Sequence, residues 1–363
     1  MQVCWVTIRN HSETLFRYSN QRPRESPNSP TRAFLKVKTN MPALVLTPTA
    51  LEDALMQKMH PSDVADRIAI MRIQEETTYK VKDYIAESAL VRKRASKPVD
   101  SDCRIKMCEW CYQVVDFCKF RRETVGIGMS YLDRYLCTPK GRSALCNRKE
   151  YQLAAMTALY IAIKLHEPLE METSLLADLS RGCYTEMEFV RMEETMLQAI
   201  KWRVNGPTSL AFVAHFMALL PSSVHPDVAE SMMEYARFQT ELAIAEQDLI
   251  SVRPSFVGLA AVMNAVEGMD TSLFSLKAQA KFIRHMERYA EVCVSDVEKM
   301  QAQLSMMMVN LLSDDFPTIV GSEEVYDGED FEDVTDDKYK PGSLSRRHSP
   351  VSVIRHPRHG TAI

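Results

Sequence analysis

Residues 151–165 read YQLAAMTALYIAIKL. The run is apolar nearly all round, carries Gln152, Thr157 and Lys164, and falls short of the ~20 residues that span a bilayer. It predicts a helix buried at the centre of a bundle rather than a membrane segment. Its neighbours must then be helices that pack around it.

Upstream, Val125, Met129, Leu132 and Leu136 recur at helical spacing. Before them Cys103, Met107, Trp110, Val114 and Phe117 step by four, three, four and three, which predicts one apolar stripe on each of two helices. Downstream, a short fourth helix is predicted over 174–180, stopping at Gly182. Thr185 and Glu188 form a capping box for a fifth helix running to about Val204, since each can satisfy an orphan amide of the first turn. Asn205-Gly206-Pro207 then breaks the chain.

From Thr208 to about Leu312 a second helical block follows, again with an Ala-rich apolar helix in its middle, 255–267. Two blocks of about 100 residues predict a duplicated five-helix unit of an all-α fold. Ahead of the first, 62 to about 90 reads as one helix with Val64, Ile68, Met71 and Glu75 on a shared face. The expected organisation is a basic arm over 1–61, a helix and linker over 62–98, helical units over 99–206 and 207–312, and a tail over 313–363.

Composition agrees with a helical fold. Glycine contributes 11 of 363 residues, which counts against phosphate loops and glycine-rich turns. The formal net charge is -4, short of the basic balance that nucleic-acid binding shows, so no nucleic-acid partner is expected. The nine cysteines lie scattered among apolar residues and read as reduced intracellular thiols, the chain lacking a signal peptide. Both ends are expected to be disordered. Before Met41 there are seven Lys or Arg against two acids, and eleven acids lie between Asp314 and Asp337.

Constellations for catalysis are missing: no nucleotide loop, no H-E-x-x-H and no nucleophile elbow. No cofactor and no catalytic residue are expected. Gly126 and Gly128 fall inside a helix and read as close-packing positions. Cys108 and Cys111 have metal-ligand spacing, with Cys103 and Cys118 near, but they sit along an apolar helix without a nearby histidine and read as packed thiols. More informative are the charges embedded in apolar helices, Arg104, Asp133, Lys164 and Glu193. A buried charge needs a partner, and two internal ion pairs or a protein interface both satisfy that need.

Arg104 to Val114, Glu123-Thr124, the run Tyr131-Leu132-Asp133-Arg134-Tyr135-Leu136, the stretch 151–164 and Arg191-Met192-Glu193 together resemble the cyclin box. The five signature residues of that family have counterparts in Arg104, Asp133, Leu153, Lys164 and Glu193. The second block, with Arg253-Pro254-Ser255 and Leu259-Ala260-Ala261, resembles the weaker C-terminal cyclin box. The resemblance covers about 62–312, with the divergence of the lineage-specific cyclins expanded in diatoms. It implies a regulatory subunit that binds and activates a cyclin-dependent protein kinase and controls cell-cycle progression. Lys164 and Glu193 would face the kinase, while Arg104, Asp133 and Leu153 would support the core. Alternatives are a transcription-linked cyclin of an RNA polymerase kinase, or a cyclin-fold general transcription factor, whose usual basic face and zinc ribbon are absent.

The resemblance also points to smaller motifs. The family's substrate-docking patch, on the first helix, falls on Cys103, Lys106, Met107, Trp110 and Gln113; a lysine in the groove and a glutamine in place of a carboxylate weaken it for an arginine-leucine peptide. Arg32, Leu35 and Asn40 match a destruction box, which implies a ubiquitin ligase acting through the arm if translation starts at Met1 rather than Met41. Arg92-Lys93-Arg94 with Lys97 suits nuclear import, Ser349 suits phosphorylation, and nucleus and cytoplasm are the expected locations.

Overall fold

The computed structural model describes residues 60–87, 98–290 and 294–312. Among the described residues every regular element is a helix. The apolar side chains separate into two cores.

The first core is built by α3 (Ser101–Cys118), α4 (Glu123–Leu136), α5 (Arg148–His166), α6 (Thr173–Leu179) and α7 (Glu186–Ala199). As the central run predicts, α5 is buried from Ala154 through Ile163. It packs closely on α4, because a Cβ added at Gly128 would meet the Leu159 backbone at 3.1 Å. Val125, Met129, Leu132 and Leu136 are all buried. The Thr185 and Glu188 capping box is formed at the start of α7.

Three expectations about this region are corrected. The long helix expected over 62–90 is two pieces, α1 (Pro61–Glu76) and α2 (Tyr84–Glu87). Thr77 ends α1 by turning both its hydroxyl (2.6 Å) and its amide (3.1 Å) back to the Ile73 carbonyl, and a β-branched pair, Thr77-Thr78, gives little reason to continue. On α3 the buried face runs through Arg104, Met107, Cys108, Cys111, Val114 and Val115. Phe117 is 63% exposed, so the expected stripe is rotated by the need to bury Arg104 against its partner. Finally, α7 stops at Ala199, short of Val204, because Lys201 and Trp202 both adopt left-handed backbone at φ 58°.

The second core is built by α8 (Ser209–Met217), α9 (Pro226–Ala245), α10 (Pro254–Glu267), α11 (Leu276–Ala290) and α12 (Val294–Leu312). Its central helix, α10, is buried from Val257 through Val266. A polar ladder crosses it. Asn264 donates to Gln239 on α9 (2.6 Å) and to the Gln301 carbonyl on α12 (3.1 Å), and accepts from Ser305 (3.0 Å). Such satisfied polar groups in an apolar interior discriminate against other helix registers. Val64 and Ile68 of α1 belong to this second core, whereas Tyr84 and Ile85 of α2 belong to the first. The segment ahead of the first bundle thus stitches both.

Candidate functional site

Lys164 lies in the last turn of α5, and Glu193 in the middle of α7. Lys164 Nζ stands 2.9 Å from Glu193 Oε1. The lysine side chain is 50% exposed and the glutamate 14%, so the pair sits at the surface with its acid half sunk. The hydrogen bond that Lys164 donates to Glu193 raises the lysine pKa, and the ammonium lies 5.7 Å from the Tyr160 ring, within cation–π range. The final turn of α5, the linker that follows it and the outer face of α7 leave Leu165, Leu169, Met187 and Val190 exposed. A charged pair rimmed by exposed apolar side chains suits a protein interface.

The turn that carries Lys164 is held firmly. Glu167, just past α5, accepts from the Arg121 amide (3.1 Å) and from the Thr124 hydroxyl at the start of α4. Arg121 also donates to the His166 carbonyl at 2.5 Å. The Tyr131 hydroxyl donates to the Val204 carbonyl at 2.7 Å and lies 2.9 Å from His166 Nε2; its one proton being used, that nitrogen must be the donor. Burial, then Arg121, lower the His166 pKa.

Arg104 and Asp133 form a buried bidentate pair, Nη1 to Oδ1 at 2.5 Å and Nη2 to Oδ2 at 3.0 Å. Burial opposes the guanidinium charge, but the Asp133 carboxylate holds its pKa above the ordinary value. Tyr84 completes the cluster by donating to Asp133 (2.8 Å) and accepting from Arg104 (3.2 Å). Arg104 Nε reaches the Ile244 carbonyl near the end of α9 at 3.0 Å, so the same cation joins the two cores. Sequence reasoning missed Tyr84. It sits in a four-residue helix, too short to show any apolar period.

Leu153 is half-buried against the first core. On α3, Met107 is buried, Cys103 and Trp110 are half-buried, and Lys106 and Gln113 are exposed. Lys106 lies 4.0 Å from Asp102. Cys108 and Cys111 are buried in the first core, and burial pushes the Cys108 thiol up to about 12, which makes it a protonated packing group. Among the described residues no cluster of three metal-ligating side chains occurs, and no helix is long and apolar enough to cross a membrane. Arg32, Leu35, Asn40, Arg92 to Arg94, Lys97 and Ser349 lie outside the described residues.

The model of the cyclin N-terminal domain matches residues 66–205. Cyclin-A1-4 of Oryza sativa subsp. japonica is 28% identical over 170 residues, covering 47% of this chain and 46% of that protein. Cyclin-B1-1 of Arabidopsis thaliana is 26% identical over 229 residues, covering 62% and 48%. G1/S-specific cyclin-D1 of Danio rerio is 24% identical over 194 residues, covering 53% and 64%. The chain spans about half the length of the first two of these relatives. An X-ray structure of a viral cyclin from herpesvirus saimiri has a TM-score of 0.47 and 20% identity, over 58% of this chain and 88% of that one. The domain match runs from within α1 to the linker after α7 and takes in both ion pairs; over these residues the chain is similar to the cyclin N-terminal domain.

Proposed function

We propose that this chain is a cyclin, a non-catalytic subunit that binds and activates a cyclin-dependent protein kinase in cell-cycle control. The observation that carries the reading is the Lys164–Glu193 pair, exposed among Leu165, Leu169, Met187 and Val190. The A-, B- and D-type names of the relatives favour the cell-cycle role over a transcriptional one. A kinase works only when its strand lysine is paired with the glutamate of its mobile helix. A subunit that binds the paired arrangement better than the unpaired one shifts the population toward it, by no more than that difference in affinity. The cyclin needs no catalytic residue for this.

Within the proposal, 99–206 is the N-terminal cyclin box, which meets the kinase, and 207–312 is the second, cyclin-box-like domain. The patch at Cys103, Lys106, Met107, Trp110 and Gln113 is a weakened substrate-docking surface. The arm over 1–61 addresses the protein to a ubiquitin ligase through Arg32, Leu35 and Asn40, and the protein works in the nucleus, the cytoplasm or both. The direct test is phosphotransfer by the chain alone and with a panel of co-expressed cyclin-dependent kinases. The expected outcome is none alone and activation of at least one kinase that co-purifies with it. Association with no kinase in the panel overturns the proposal.

A further inference from the structure

Where α7 ends, the backbone is strained and the charge is one-sided. Lys201 and Trp202 both lie at φ 58°, a region that costs a bulky residue of order 1 kcal/mol or more. The turn is held by the Lys201 amide on the Gln198 carbonyl (3.1 Å) and the Trp202 amide on the Leu197 carbonyl (2.8 Å). Its result is an indole that is 65% exposed. A packed core gains nothing from such an arrangement.

Around this turn stand cations that form no ion pair among the described residues. Arg134 is buried, with Nη1 on the Arg203 carbonyl (2.6 Å), Nε on the Ser130 carbonyl (3.3 Å) and Nη2 without a hydrogen-bond partner. Its guanidinium lies 5.0 Å from the Tyr79 ring and 5.4 Å from the Tyr131 ring. Lys140 donates to the Gln198 side chain at 3.1 Å, which puts it beside Lys201. Lys140, Lys201 and Arg203 are exposed. None of these four cations has an ion pair among the described residues. Glu194 is engaged by the Gln198 amide at 3.0 Å, and Asp133 is paired with Arg104. Burial holds the Arg134 pKa below its usual value, against the raising effects of Tyr131, Tyr79 and Asp133.

We propose that this corner is a docking surface for an acidic peptide segment of a partner protein, with Trp202 packing against an apolar side chain of that segment. The proposal goes beyond the kinase reading and does not depend on it. Three exposed cations, Lys140, Lys201 and Arg203, with the exposed indole of Trp202 fit a short stretch of carboxylates. A nucleic acid needs a longer basic track, and the net charge of -4 opposes it.

The test uses the full chain and a labelled dodecapeptide, (Glu-Glu-Leu-Glu)3, with its glutamine counterpart and an oligo-dT of equal charge as controls. Fluorescence anisotropy should show binding of the acidic peptide that weakens between 50 and 300 mM salt. The glutamine peptide should bind at least tenfold more weakly. The double variant Lys201→Glu with Arg203→Glu should lose about tenfold or more in affinity while melting like the parent, because both side chains are exposed. Trp202→Ala should lose about fivefold and abolish the emission change on binding. Equal affinity of the double variant, or failure of the acidic peptide to bind, overturns the proposal. Oligo-dT bound as tightly and lost in the same variant overturns it in favour of nucleic acid.

Discussion

Glu75, in the last turn of α1, accepts hydrogen bonds from the amide (2.9 Å) and the hydroxyl (2.5 Å) of Ser255 at the start of α10, 180 residues further along the chain. The carboxylate satisfies an orphan amide at the N-terminus of the second bundle's central helix. Arg253 reinforces the contact through Glu76. With Val64 and Ile68 in the second core, α1 is part of the bundle that lies farther along the chain.

Burial raises the Glu75 pKa above its usual 4.5, against the lowering effect of its Ser255 bonds. The folded value then exceeds the unfolded one, so this group's contribution to stability is full below about 4.5 and is lost as pH rises through the folded value. Glu75→Gln should remove that loss. Thermal melting of parent and variant from pH 4 to 8 checks it, and the difference between them should change within this window. Glu75→Ala should destabilise at all pH values, by about 1–3 kcal/mol, through unpaired Ser255 donors.

The Arg104–Asp133 pair is internal. Removing either partner leaves a buried charge uncompensated and should cost about 3–5 kcal/mol, read by denaturant unfolding of Arg104→Ala or Asp133→Ala. Tyr84→Phe removes one hydrogen bond to Asp133 and should cost about 1 kcal/mol. A loss from Tyr84→Phe as large as that from Asp133→Ala would contradict this ranking.

Lys164 and Glu193 should behave in the opposite way. A pair whose lysine is half-exposed contributes about 0–1 kcal/mol to folding, so Lys164→Ala and Glu193→Ala should melt close to the parent. Against the cognate kinase each should lose about 2–5 kcal/mol, some thirtyfold or more in affinity, because desolvated partner groups are left unpaired. Calorimetric melting of the free protein and titration of the kinase separate the two effects. Parent-like kinase binding by both variants would remove them from the interface.

The basic arm is expected to shorten the protein's life at division. Arg32→Ala with Leu35→Ala should lengthen its half-life through mitotic exit several-fold in synchronised cells. Unchanged turnover, or a mature N-terminus at Met41, speaks against a destruction box at these positions.

The sequence alone determined the helical class and the central place of 151–165, because a run apolar nearly all round, with flanking helical periods, is buried by surrounding it with helices. It also singled out Arg104, Asp133, Lys164 and Glu193, since charges in apolar helices must find partners. Which charges meet was a matter for the tertiary structure, as Arg104 and Asp133 lie 29 residues apart and so do Lys164 and Glu193. The same holds for Tyr84 on Asp133, Glu75 on Ser255 and Arg104 on the Ile244 carbonyl. Periodicity reports which face of an element is apolar; it carries no information about the element on the other side. The rotation of α3 and the early stop of α7 were decided there too, by a cation that had to reach Asp133 and by a left-handed turn that leaves Trp202 in solvent.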